Sequence, residues 1–319
     1  MRSRPVCAMN TFVLGLLTVA CAHGLALAQA EVKPSDNPAL AFAPAGSNEF
    51  TFDTGVLRGK LRAEGRSRGL SSVVHLPTGR RLDSSLGLFS HYRVFSAGKR
   101  YGTAAWDWPS EAKLGPNGSI AVRWPVTADR PFELRALYRW AAPNILDLET
   151  TVLAKTNLLR FESFLASYFT ADFTNSLVWT GDAESSGQFM AADQRYGAWL
   201  AFPRDDAAAA ILGDGRWKLE PNPVDWVRMP RLARPLAARR APATGLTAVL
   251  MSPPSDCFAI CSPQQSDPHD SLYLSLFGRD LKEGETARAR ARLLIAPGLS
   301  EADMVKAGAE YLKEAAGRP

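Results

Sequence analysis

The chain has 319 residues, 46% of them apolar and 22% charged, with 24 Gly, 22 Pro and 4 Cys. That composition excludes collagen-like, coiled-coil, disulfide-framework and wholly disordered chains, and the length suffices for one large or two medium cores. The 37 basic side chains exceed the 32 acidic ones by five, too slight an excess over so large a surface to point to nucleic acid.

Arg2 and Arg4 open the chain, an apolar run follows over residues 12–28, and Ala28, Gln29 and Ala30 form an A-x-A pattern before Glu31. This predicts a secretory signal over residues 1–30 and a periplasmic or secreted protein. The alternative is an uncleaved anchor, because the run approaches spanning length; the membrane is expected as a partner only in that form. Loss of Arg2 and Arg4 lowers the formal charge from +5 to +3. Cys7 and Cys21 also leave. Cys257 and Cys261 remain, and in an exported chain a disulfide between them is expected, with two free thiols as the alternative. A lone C-x-x-x-C lacks the further ligands a zinc site needs, so no metal or cofactor is expected.

Residues 31–47, with Pro34, Pro38, Pro44 and Gly46, read as a flexible leader, and residues 48–319 as a single domain. Period-two alternation marks strands near 57–63, 69–75, 119–124, 196–202 and 246–251. The clearest pair is 132–140 and 146–154. Phe132, Leu134, Ala136, Tyr138 and Trp140 alternate with Glu133, Arg135 and Arg139, and a turn at 141–144 closes the hairpin. Asn117-Gly118 signals another hairpin, since both residues tolerate positive φ. Strands at 271–277 and 286–295 flank a turn at 282–284; Arg288, Arg290 and Arg292 form a row read as a solvated outer face.

One helix is expected, over 300–316. Ser300 and Asp303 make a capping box, and Leu299 with Met304 a hydrophobic staple. Many short strands without βαβ spacing and with one terminal helix predict an all-β fold, a large antiparallel β-sandwich. The mid-chain strands from Tyr138-Arg139-Trp140 through Ala154 and a late hairpin from Leu272 to Ile295 give the chain an architecture that resembles the galactose mutarotase-like super-sandwich over about residues 49–296. Members of that superfamily include aldose epimerases, accessory domains of glycoside hydrolases and domains of polysaccharide lyases. The resemblance implies a broad concave sheet that holds sugars.

Three histidines follow the signal: His75, His91 and His269. An imidazole titrates near working pH and is the first candidate for proton transfer. His75 ends a strand and is read as structural. His91 begins the densest run of chemistry in the chain, with Arg93, Arg100, Tyr101, Trp106, Asp107 and Trp108. Sugars offer hydroxyls to planar polar groups and C–H faces to aromatic rings, which this segment supplies. Arg93 and Arg100 are candidates for a uronic acid carboxylate or for nearby acids. His269 is delivered by a loop, as either a catalytic group or a turn residue bonded to Asp267 or Asp270. Asp214, Arg216 and Trp217 again interleave turn, charge and indole, as substrate contacts or as simple turn chemistry. Glu162 stands among aromatics, as a general acid with raised pKa or as the partner of an arginine.

The sequence therefore reads as an exported carbohydrate-active protein for a sugar or polysaccharide ligand. The expected chemistry is acid–base work by His91 or His269 with Asp107 or Glu162, of the epimerase, lyase or glycoside hydrolase type. The alternative is a non-catalytic carbohydrate-binding or cell-envelope assembly module on the same fold. The missing G-x-G-x-x-G, Walker, G-x-S-x-G and H-E-x-x-H patterns disfavour nucleotide, α/β-hydrolase and zincin chemistry. Oligomeric state is not legible.

Overall fold

The computed structural model describes residues 40–317 except 47–48, 64, 66 and 184–185. The expected signal segment and most of the expected leader lie outside the described residues. The first strand, Phe42–Pro44, falls inside the stretch read as leader, because it pairs with Phe50–Asp53 despite its proline. Proline is tolerated at the sheet's edge, where no partner needs its missing N–H.

The described strands form three sheets. The largest has nine strands in the order Gln188–Ala191, Asn175–Thr180, Leu232–Ala241, Leu246–Met251, Thr286–Pro297, Ile145–Ala154, Phe132–Ala142, Ile120–Trp124 and Glu111–Leu114. The second has seven: Val227–Arg228, Trp199–Pro203, Cys257–Pro263, Ser271–Leu281, Leu158–Tyr168, Ser90–Ser96 and Lys99–Arg100. A five-stranded sheet follows chain order from Phe42–Pro44 to Arg80–Arg81. All neighbours are antiparallel except Trp199–Pro203 beside Val227–Arg228. The fold is the expected all-β sandwich.

One apolar core lies between the two large sheets. Ala136, Tyr138, Leu148, Ala289 and Leu293 of the nine-stranded sheet share it with Val94, Phe161, Leu165, Leu274 and Ile260 of the seven-stranded one. The expected hairpin pairs as read, Phe132 opposite Ala154 and Trp140 opposite Leu146. Gly118, at φ +71°, turns Ile120–Trp124 back on Glu111–Leu114.

The late pair is different. Ser271–Leu281 bonds to Leu158–Tyr168 and Cys257–Pro263, whereas Thr286–Pro297 bonds to Ile145–Ala154 and Leu246–Met251. The turn at 282–284 is thus a corner between sheets, and the expected hairpin from Leu272 to Ile295 is corrected. Leu272, Leu274 and Leu276 face Ala287, Ala289 and Ala291 across the core instead of lying beside them. Alternation states that one face is buried; it does not say whether the next strand pairs with that face's edge or covers it.

The expected disulfide is also absent. Cys257 and Cys261 are both free thiols, buried on one strand. Four residues of extended chain separate them by about 13 Å, beyond the reach of a disulfide. Cys257 packs into the inter-sheet core while Cys261 joins a second apolar cluster on the opposite face.

The terminal helix, Glu301–Ala316, has its capping box on Ser300 and Asp303 and covers the outer face of the nine-stranded sheet. Met304, Gly308, Tyr311 and Ala315 form its buried stripe. Beneath it the arginine row is a solvated face only at Arg288, which is exposed beside Glu149. Arg292 is paired with Asp147 and Glu314 and lies 4.5 Å from the Tyr311 ring centre, and Arg290 is paired with Asp256. A second, short helix, Asp206–Leu212, was not expected; Asp205 caps it through the Ala208 N–H.

Candidate functional site

The outer face of the seven-stranded sheet carries the site. Alternation along Leu158–Tyr168 sends Phe161 and Leu165 into the inter-sheet core, while Phe164, Ala166 and Tyr168 join the outer cluster. Ala166 stands beside Tyr273, Tyr273 beside Cys261 and Cys261 beside Ala201, a rank of mostly small side chains across four strands. Small residues in the middle and large rings around them leave a bowl.

A β-bulge enriches this face. Ser163 pairs with Val94 and Leu165 with His91, so the single residue Phe164 stands opposite both Tyr92 and Arg93. The extra residue brings a phenol and a guanidinium together onto the outer face, a common use of bulges at binding sites. Tyr92 then stacks on Trp106, ring centres 4.3 Å apart and 2° from parallel.

The segment after Asp206–Leu212 supplies the remaining wall. Gly215, at φ +90°, leads into a 3-10 turn over Arg216–Lys218. Trp217 from that turn meets Phe164 edge-on at 4.6 Å and Trp226 at 5.2 Å. Trp226 in turn meets Trp199, 5.8 Å away at 89°. The bowl holds about 330 Å³ and is lined chiefly by Tyr92, Phe164, Tyr168, Trp199, Trp217, Trp226 and Tyr273, with Arg93, Asn222 and His269 as its polar groups.

His269 sits at the rim with its side chain half exposed. Its ring is 5.1 Å from Trp199, and its Nδ1 is 2.6 Å from Asp267 Oδ1. The loop reading and the bond to Asp267 both hold. Tyr168 and Tyr273 lie deeper; burial raises the Tyr168 phenol well above its ordinary pKa and pushes Tyr273 up to about 12, so both are neutral hydroxyls at neutral pH.

Arg93 is 3% exposed. Its Nη2 donates to the Asn222 carbonyl at 2.7 Å and to Tyr92 Oη at 3.3 Å, and its guanidinium carbon lies 5.0 Å from the ring centres of both Tyr92 and Trp217. Its Nε and Nη1 have no acceptor.

Several expected site residues belong elsewhere. His91 is 1% exposed and points between the sheets, with Nδ1 3.0 Å from Ser163 Oγ, Nε2 3.2 Å from Thr150 Oγ1 and its ring edge-on to Trp124. Burial lowers its pKa to about 3, so it is a neutral core histidine and not a catalyst at this face. Tyr101 faces the same core, its hydroxyl 2.9 Å from Ser96 Oγ and its ring edge-on to Phe132. Trp108 packs near Phe132 with Arg130 over its ring at 4.2 Å. Asp107 is exposed on a 3-10 turn and is not part of the bowl. The register of Ser90–Ser96 around its bulge turns His91 inward, and Tyr101, Asp107 and Trp108 follow on chain that does not line the bowl.

Arg100 is a clamp. It donates to the carbonyls of Gly102, Thr103, Leu219 and Pro221, tying the covering segment down. Glu162 is wholly buried beneath the same segment, 3.1 Å from Arg216 Nη1, and Arg216 makes further bonds to Asp214 at 2.8 and 3.0 Å. Burial raises the Glu162 pKa, with Arg216 opposing. Burial also works against the Arg216 charge, but its bonds to Asp214 and the charge of Glu162 outweigh this and raise its pKa. Glu162, Asp214 and Arg216 therefore form an ion triad that seats Trp217, and they do not line the bowl.

The bowl thus retains Arg93, His269 and Trp217 from the expected set, with Trp106 behind Tyr92. Tyr168, Trp199 and Tyr273 were missed. The Glu162–Phe164 alternation extends to Tyr168 in the sequence; nothing in the sequence joins that strand to Trp199 or Tyr273.

No protein-family model matches the chain, and no curated protein matches it. Among solved structures it is similar to the galactose 1-epimerase of Lactobacillus acidophilus NCFM at 10% identity, over 82% of this chain and 98% of that one, with a TM-score of 0.49. It is similar also to a galactose mutarotase related enzyme from Lactobacillus acidophilus, at 12% identity over 79% and 99% with a TM-score of 0.48. A heparan sulfate lyase from Pedobacter heparinus matches at 7% identity over 82% and 37%, with a TM-score of 0.46. The likeness is one of architecture.

Proposed function

We propose that this is an exported protein that binds a saccharide in the aromatic bowl on the outer face of the seven-stranded sheet. The carrying observation is the set of seven rings around about 330 Å³ of space, with three polar side chains among them. Rings take the C–H faces of pyranoses, and a few placed polar groups fix their orientation. The volume lies at the small end of the range of about 300–1,000 Å³ typical of ligand sites. Export rests on the A-x-A pattern after the apolar run; N-terminal sequencing of the mature protein tests it, and an intact residue 1 on a cytoplasmic protein refutes it.

Binding is the reading the geometry favours over acid–base work by His91 or His269 with Asp107 or Glu162, since of these four only His269 lines the bowl. A catalytic second reading rests on the His269–Asp267 contact at 2.6 Å, which orients a half-exposed imidazole at the rim. A glycan panel assayed for both affinity and product release separates the two. Binding abolished by Trp199→Ala and by Trp226→Ala, with no product formed, supports a binding protein. Turnover that His269→Ala removes while affinity persists supports an enzyme. A panel with no binder refutes both.

A further inference from the structure

We infer that the ligand of the bowl is anionic, a saccharide carrying a carboxylate or sulfate that Arg93 receives. The inference rests on the saccharide reading above and names its chemical class. A guanidinium has five N–H donors. Arg93 uses Nη2 on Asn222 and Tyr92, which leaves the donors of Nε and Nη1 buried without an acceptor. Buried charge is ordinarily paired, and a buried donor without an acceptor is destabilising.

The surroundings do not supply the missing charge. None of the side chains lining the bowl is a carboxylate. Of the acidic groups around it, Asp267 is bonded to His269 and Asp214 with Glu162 to Arg216, while the exposed Glu220 acts on Arg100 and makes no ion pair with Arg93. No ion pair of Arg93 exists among the described residues. Arg100 lies close enough for burial and the charge of Arg93 to lower its pKa, with Tyr92 and Glu220 opposing, so it supplies no carboxylate for Arg93 and adds positive charge that Glu220 offsets. The π faces of Tyr92 and Trp217 soften the cost of holding a cation there, but a ring accepts no strong N–H bond.

The same imbalance extends to the indoles. Trp217 Nε1 and Trp226 Nε1 are also buried donors without acceptors. The wall is therefore rich in donors and carries net positive charge, complementary to an oxyanion and less so to a neutral hydroxyl, which brings a donor of its own. Charge-assisted bonds are about twice as strong as neutral ones, so an anionic group gains most from this wall.

The test is calorimetric titration of the full chain with hexuronate oligosaccharides, each beside its carboxyl-reduced neutral counterpart, and with sulfated oligosaccharides of neutral sugars. The expected result is an acidic or sulfated oligosaccharide that binds about tenfold or more tightly than its neutral counterpart, with the gap closed by Arg93→Met. A carboxylate-only or sulfate-only preference identifies the anion. Neutral sugars that bind as well as acidic ones, dependent on Trp199, overturn the inference and leave saccharide binding intact. No binding by any oligosaccharide overturns both. The acidic-against-neutral comparison on the unaltered chain stands whether or not the Arg93 variant folds.

Discussion

Replacing His91 by Gln changes how stability responds to acid. His91 is enclosed between the sheets, and burial holds its pKa at about 3 against an ordinary 6.5. Between those values the unfolded chain binds one proton more at this position than the folded chain, so stability rises with pH there and is lost on acidification. The slope from this one group is about 1.4 kcal/mol per pH unit. From pH 6.5 down to pH 4.5 it amounts to about 2 kcal/mol, since the slope is only half developed at pH 6.5, and that is a sizeable share of the roughly 5–15 kcal/mol that a folded domain commands. Gln retains a polar group between Ser163 and Thr150 but does not titrate. The variant is expected to be less stable than the parent at pH 8 by about 1–3 kcal/mol, through poorer hydrogen bonds, and to lose less stability on acidification. Urea unfolding at several pH values between 4.5 and 8, fitted with a common slope, measures the difference. Parallel stability curves for parent and variant would falsify the enclosed, neutral histidine; so would an imidazole signal titrating near 6.5 in the folded state.

The buried ion triad and the packing of the helix give further expectations. Arg216→Met strands Glu162 and should cost about 3–5 kcal/mol in urea unfolding, while Glu162→Gln, which leaves Arg216 paired with Asp214, costs less. Because the folded pKa of Glu162 is raised above 4.5, its stabilising contribution is complete below that value and is lost as pH rises through the folded pKa; Glu162→Gln should therefore gain on the parent as pH increases. Equal costs for the two substitutions, independent of pH, would refute the triad. The thiols of Cys257 and Cys261 are buried, with Cys257 pushed up to about 12, so a thiol reagent should label neither until the chain is unfolded. Rapid labelling of the native protein, or a mass two units low for a disulfide, contradicts the strand geometry. Gly308→Leu should loosen the terminal helix, since even a Cβ there stands 3.3 Å from the Arg234 guanidinium; proteolysis that does not quicken at the helix counts against that packing.

Local patterns in the sequence determined the secondary structure well. The Phe132–Ala142 and Ile145–Ala154 hairpin, the turn at Gly118 and the capped terminal helix all follow from side-chain period and turn chemistry, which act over a few residues. The sandwich class follows too, because so many one-faced strands have only a few ways to cover themselves.

Which residues meet was decided by tertiary structure. His91 and Arg93 lie two apart on one strand, where simple alternation puts them on the same face. A single bulge opposite Phe164 sends the imidazole into the core and the guanidinium to the bowl. The turn at 282–284 reads as a hairpin and is a corner between sheets, and of the arginine row after it Arg290 and Arg292 serve the helix while Arg288 faces solvent. Tyr168, Trp199 and Tyr273 come from three strands of one sheet that only strand pairing brings together, with Cys257–Pro263 lying between those of Trp199 and Tyr273. Alternation fixes which side chains seek a common face, but register and bulges, which depend on strands far away in the chain, fix which face that is and what stands beside it.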